Sequence, residues 1–101
     1  MCEYNDLSFE WDENKNQMNI RKHGISFEKA AEVFFDNNAI MNTDISHSYG
    51  EVRFIIIGFN KNSRLLTVCY CERKSGDKIR IISARKSTDK ERKLYGGQLW
   101  Q

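Results

Sequence analysis

Residues 51–84 read EVRFIIIGFNKNSRLLTVCYCERKSGDKIRIISA, and the fold is decided in this stretch. It contains three strand candidates, Glu51 to Phe59, Arg64 to Glu72 and Lys78 to Ala84, joined by Asn60-Lys61-Asn62-Ser63 and by Lys74-Ser75-Gly76-Asp77. Connections this short join antiparallel neighbours, so the three strands are expected to form a meander. The second candidate is rich in β-branched and aromatic residues. In the third, Ile79 and Ile81 alternate with Lys78 and Arg80, so one sheet face should meet a core and the other should face solvent.

Upstream, Ser8 to Trp11 alternates and reads as a short strand, and Asp12 can cap a polar helix reaching about His23. Gly24 supplies the left-handed stop, with Arg21, Lys22 and His23 at the negative end of the helix dipole. Ser26 opens a second helix. Its apolar face is Phe27, Ala30, Ala31 and Phe34, with Ile25 and Ala30 as a hydrophobic staple, and it ends at Asp36-Asn37-Asn38. Ala39 to Asn42 is a further strand candidate before a polar loop through Gly50. Downstream, Thr88 and Glu91 are spaced as a capping box for a last helix through Tyr95, stopped by Gly96-Gly97. The expectation is an α+β domain spanning 1–101, with an antiparallel sheet packed against two N-terminal helices and a short C-terminal helix.

The 101 residues are 40% hydrophobic and 30% charged, enough apolar surface for one modest core. Apolar runs such as Phe54 to Phe59 fall far short of the roughly 18–20 residues needed to span a membrane. Met1 to Glu10 carries acids where a signal peptide would carry a basic segment, so a cytoplasmic protein with no membrane partner is expected. Cys2, Cys69 and Cys71 suit neither a disulfide framework nor C-x-x-C chemistry; Cys69 and Cys71 read as core packing. His23 and His47 are isolated and no second thiol pair stands at zinc spacing, so no metal and no cofactor is expected.

Charge carries the functional signal. Residues 1–50 hold four Lys or Arg against nine Asp or Glu, whereas residues 51–101 hold twelve against five. A basic second half suits a polyanion such as RNA or DNA. Arg53, Arg73, Arg80 and Arg85 fall on strands or their ends, where guanidinium groups could grip phosphate from a rigid base, although each could instead be a surface ion pair with Glu51, Glu72 or Glu91. His23, beside a helix stop, could shuttle protons or could simply cap the helix. Phe9, Trp11 and Tyr95 could stack on bases but more often such residues belong to a core.

The run Phe9-Glu10-Trp11-Asp12-Glu13-x-Lys15, then Asn19-x-Arg21-Lys22-His23-Gly24-Ile25-Ser26-Phe27, Glu51-x-Arg53 and Gly58 resembles the BrnT family. Glu72-Arg73, Arg80-Ile81-Ile82-Ser83-Ala84-Arg85 and Glu91-Arg92-x-x-Tyr95 extend the resemblance over about residues 8 to 95. Ser87 departs from it, standing where relatives usually carry a small apolar residue, and is expected to shift the cap of the last helix. The resemblance implies a RelE-like ribonuclease toxin of a type II toxin–antitoxin system that inhibits translation, neutralised by a BrnA-type ribbon-helix-helix antitoxin and meeting DNA only through it. On that footing Arg53 and Arg85 are expected at the scissile phosphate of an RNA substrate, and Arg80 and Arg73 at its grip or at flanking phosphates. His23 is expected to transfer protons, with Tyr95 as a weaker candidate, and Lys22, Lys86 and Arg92 to contact RNA. Rival readings are a non-catalytic nucleic-acid-binding module and a co-repressor acting through a DNA-binding partner.

Overall fold

A computed structural model of the chain describes residues 7–44, 50–73 and 77–97. Ser8–Glu10 form β1, Glu13–His23 α1 and Phe27–Ala31 α2, which tightens into a 3₁₀ turn over Glu32–Phe35. Ile40–Thr43 form β2, Phe54–Phe59 β3, Leu65–Arg73 β4, Lys78–Lys86 β5 and Asp89–Gly97 α3. The described strands make one five-stranded sheet in the order β1-β5-β4-β3-β2. β2 to β5 pair antiparallel, but β1 runs parallel to β5, with Phe9 opposite Ile79 and Glu10 opposite Arg80. The sheet is therefore mixed, which corrects the antiparallel expectation. Parallel pairing needs a long crossover, and here everything between β1 and β5 supplies it.

The helix ends follow their local chemistry. Asp12 accepts hydrogen bonds from the Asn14 and Lys15 amides, and Gly24 takes the left-handed conformation at φ 71° while its N–H returns to the Ile20 carbonyl. Ser26 caps α2 through the Lys29 amide. The single helix expected through Phe34 instead narrows after Ala31, because the turn is tied to β3 and its hairpin. The Asp36 carboxylate accepts from the Phe59 amide, and Glu32 accepts from that of Lys61. β3 passes so close beneath that a Cβ on Gly58 would lie 3.2 Å from the Val33 carbonyl oxygen. β3 begins at Phe54 rather than Glu51, while β4 and β5 run on to Arg73 and Lys86 and α3 includes Gly96 and Gly97. Thr88 and Glu91 cap α3 reciprocally, so Ser87 does not shift the cap; its hydroxyl is buried against that of Thr67 at 2.8 Å.

The core lies between the sheet and the helices, where Phe27, Ala30, Val33 and Phe34 meet Ile56, Leu66, Val68, Tyr70, Ile79, Ile81 and Ala84. A smaller cluster of Ile57, Leu65 and Tyr95 seats α3 on the opposite face. Phe9 packs on Phe34 and Trp11 on Phe27, so these aromatics serve the core.

One irregularity orients the site. Cys69 pairs with Ser83 but Tyr70 pairs with Ile81, leaving Ile82 as an extra residue in β5. Under strict alternation Arg80 and Arg85, five residues apart, would point to opposite faces. The bulge puts both on the face opposite the α1–α2 core, together with Ser83, while Ala84 joins Ile79 and Ile81 in that core.

Candidate active site

On that outer face Arg53, Asp44, Thr67, Cys69, Ser83 and Arg85, with Ile55 and Ile82, line a cavity of about 410 Å³. Arg53 stands just before β3, and its carbonyl accepts the Asp44 amide at 2.7 Å, which closes the rim. Arg85 is held by a two-pronged ion pair: its Nη1 and Nη2 donate to Glu91 Oε1 and Oε2 at 2.7 and 2.8 Å. Glu91 also accepts from the Thr67 hydroxyl and the Thr88 amide, both at 2.9 Å. Arg85 above all, with these neutral donors, holds the Glu91 carboxyl down to about 2, and Glu91 in turn pushes the Arg85 guanidinium further up. The result is a permanent cation whose position is fixed from behind. Burial pushes the Cys69 thiol up although Arg53 pulls the other way, so it remains a thiol rather than a nucleophilic thiolate. Cys69 is only half-buried on the cavity wall, which corrects its assignment to the core; Cys71 is buried.

A second groove of about 440 Å³ runs along α1 and is lined by Lys15, Met18, Asn19, Arg21, Lys22 and His23. Ile82 and Ser83 form its far wall and belong to the first cavity as well, so the bulge is the ridge between the two. β1 pairs only with residues 78–80, and beyond them Asn19 takes over the edge of β5. Its Nδ2 donates to the Ala84 carbonyl at 2.8 Å and its Oδ1 accepts the Ala84 amide at 3.2 Å, so a side chain imitates a neighbouring strand. Asn16, also buried, accepts the Phe27 amide and ties α1 to α2.

The expected residues thus separate into groups. Arg53 and Arg85 share the first cavity, and His23 and Lys22 share the second. Arg80 and Arg73 lie near the other end of the strands, about 15 Å away at the rise of an extended chain. There Arg80 donates to Glu10 at 3.0 Å, and Arg73 stands 3.9 Å from Glu10 and 3.8 Å from Glu51. Lys86 and Arg92 are exposed at the end of β5 and on α3. Tyr95 is buried under α3 and donates to Asp36 at 2.7 Å; burial first, then Asp36, pushes its hydroxyl up to about 12. Lys74 and His47 lie outside the described residues. Sequence reasoning missed Asp44, which belongs to no motif, and Asn19, whose signal was an amide in the middle of a helix. Glu91 was legible as a cap and as one possible ion-pair partner of the strand arginines; the structure selects Arg85 as that partner.

A family model described as the ribonuclease toxin BrnT of type II toxin–antitoxin systems matches residues 11–91. The chain belongs to the BrnT family. This BrnT-family chain is accordingly a ribonuclease toxin, an enzyme acting on RNA. The match takes in both grooves and the Arg85–Glu91 pair. Among solved structures the fold is similar to that of the Brucella abortus ribonuclease toxin BrnT, with a TM-score of 0.62 and 22% identity, covering 82% of this chain and 99% of that one. No curated protein matches the sequence. Among the described residues, no helix is long and apolar enough to cross a membrane.

Proposed function

We propose that the RNA backbone crosses the Ile82–Ser83 bulge, with the scissile phosphate gripped by Arg53 and Arg85 on one side and approached by His23 from the other. The observation that carries this reading is the shared wall: one ridge brings two guanidinium groups and the only imidazole among the described residues to adjoining grooves. A base removes the 2′-OH proton, the 2′ oxygen attacks the phosphorus, and the bond to the 5′ oxygen breaks as that oxygen takes up a proton. Arg53 and Arg85 stabilise the negative charge that grows on the phosphorane oxygens, the role a divalent ion plays in many nucleases, so the reaction runs without metal. In this reading His23 and Asp44 move the protons, His23 being the first choice because an imidazole offers a donor and an acceptor nitrogen on one ring. Lys22 contacts the backbone beyond the ridge, Lys86 and Arg92 follow it toward α3, and Arg80 and Arg73 reach flanking phosphates once these displace Glu10.

The architecture is RelE-like in this reading, and RNA loss arrests translation in the cytoplasm. The neutralising partner is a BrnA-type ribbon-helix-helix antitoxin, through which alone the complex meets DNA. The test is cleavage of one purified RNA with and without EDTA, followed by mass analysis of the products. Persistence in chelator with 2′,3′-cyclic phosphate ends is expected; a chelator-sensitive reaction leaving 5′-phosphate ends would falsify the arginine mechanism.

A further inference from the structure

We infer that the part of the α1 groove formed by Lys15 and Met18 opposite Ile82 is a subsite for the nucleobase adjoining the cut, and that it determines which nucleotide is preferred there. This rests on the reading that the scissile phosphate sits at the bulge. Lys15, Met18, Asn19 and Lys22 recur at i, i+3, i+4 and i+7, so they form one face of α1. Asn19 anchors that face to the edge of β5 through both polar groups of Ala84, which makes the groove wall rigid rather than adaptable. Met18, 64% exposed, and Ile82 then form an apolar floor beside the ridge.

The lining chemistry matches a nucleotide part by part. The volume of about 440 Å³ is on the scale of small-molecule sites. Lys15, Arg21 and Lys22 surround the apolar floor, and no acidic side chain lines the groove among the described residues. Cations suit the phosphates and sugar edge, while a thioether and a branched alkane suit the face of a base, sulfur being favourable against aromatic rings. The groove continues the phosphate cavity across Ile82 and Ser83, so a chain with its cut over the ridge must lay its next nucleotide here. A peptide of the antitoxin is the other occupant of suitable charge, and the experiment separates the two.

RNA oligonucleotides differing only in the base on either side of the cut are incubated with the full chain and with Met18→Ala, Met18→Gln and Lys15→Gln. The parent is expected to prefer some bases at one flanking position. Met18→Ala and Met18→Gln should flatten that preference by about fivefold, the worth of a sulfur–ring contact of about 1 kcal/mol. Lys15→Gln should raise KM and make the salt dependence of KM shallower by the equivalent of one phosphate contact. Met18 is exposed, so both variants keep the fold, and circular dichroism checks it. Parental base preference in both Met18 variants overturns the subsite, as does a change in antitoxin affinity alone. Failure of the underlying reading looks different: Arg85→Ala would then cleave at the parental rate.

Discussion

Arg85 is already engaged with Glu91 before any substrate arrives, and this pairing orients it without neutralising its use. The carboxylate binds two of the five guanidinium N–H groups, Nη1 also donates to the Lys86 carbonyl at 3.5 Å, and the remaining two are left for phosphate. Arg85→Ala is expected to lower kcat by about a hundredfold or more, the usual cost of losing one fixed donor to a developing oxyanion, as measured by single-turnover cleavage. In a double-mutant cycle, Glu91→Gln should slow cleavage in the parent and add little in the Arg85→Ala background; independent, additive effects would show that Glu91 does not act through Arg85. The same pair governs acid stability. Glu91 titrates at about 2 in the fold against an ordinary 4.5, so its stabilisation is complete above 4.5 and is lost as pH falls toward 2. After allowance for solvent screening the contribution is on the order of 2 kcal/mol, and Glu91→Gln should flatten the melting temperature across that window. Tyr95 behaves oppositely. Its hydroxyl stays protonated until about 12 and donates to Asp36, so Tyr95→Phe should cost on the order of 1 kcal/mol in denaturant unfolding while kcat stays near the parental value.

At the scale of the element, β5 carries the decisive information. The alternation of Lys78 to Ile81 revealed a strand, but counting in twos places Arg85 in the core, and nothing in Ile82 itself marks it as the extra residue. A bulge is set by what its neighbours require: Ala84 is small enough to lie beneath the helices, and Arg85 is not. Asn19 completes the same strand from outside the sheet. Asn19→Leu would leave the Ala84 amide and carbonyl buried without partners, and a loss of about 2–4 kcal/mol is expected in urea unfolding. Hairpin turns and helix caps were legible because their chemistry is local. Asp12, Gly24, Ser26 and the Thr88–Glu91 box each act on backbone groups within four residues.

For the whole molecule, the basic second half is not one uniform face. Glu10 from β1 meets Arg80, Arg73 and Lys78, so an acid of the first half tempers that end of the sheet, and the proposed phosphate site lies at the bulge end with Arg53 and Arg85. RNA cleavage should therefore fall steeply as salt is raised from about 50 to 200 mM, measured as kcat/KM on one RNA. Expression of the chain alone should lower protein synthesis, and coexpression of the antitoxin should restore it, read by amino-acid incorporation. Charge reversal at Arg53 and Arg85 should weaken antitoxin binding and its salt dependence as well as cleavage; unaffected affinity would place inhibition on another surface.

The amino-acid order by itself determined the caps, the meander, the apolar helix face and the concentration of arginine in the second half, because each depends on periodicity or on interactions within one turn. Residues from Trp11 to Glu91 also sufficed to place the chain in its ribonuclease family. Only the tertiary structure decided the parallel docking of β1, the bulge at Ile82, the side-chain strand made by Asn19 and the grip of Glu91 on Arg85. Each of these pairs a backbone or side-chain polar group with a partner on another element. Which partner satisfies a buried donor depends on how the sheet and helices pack, and local propensity does not encode that choice.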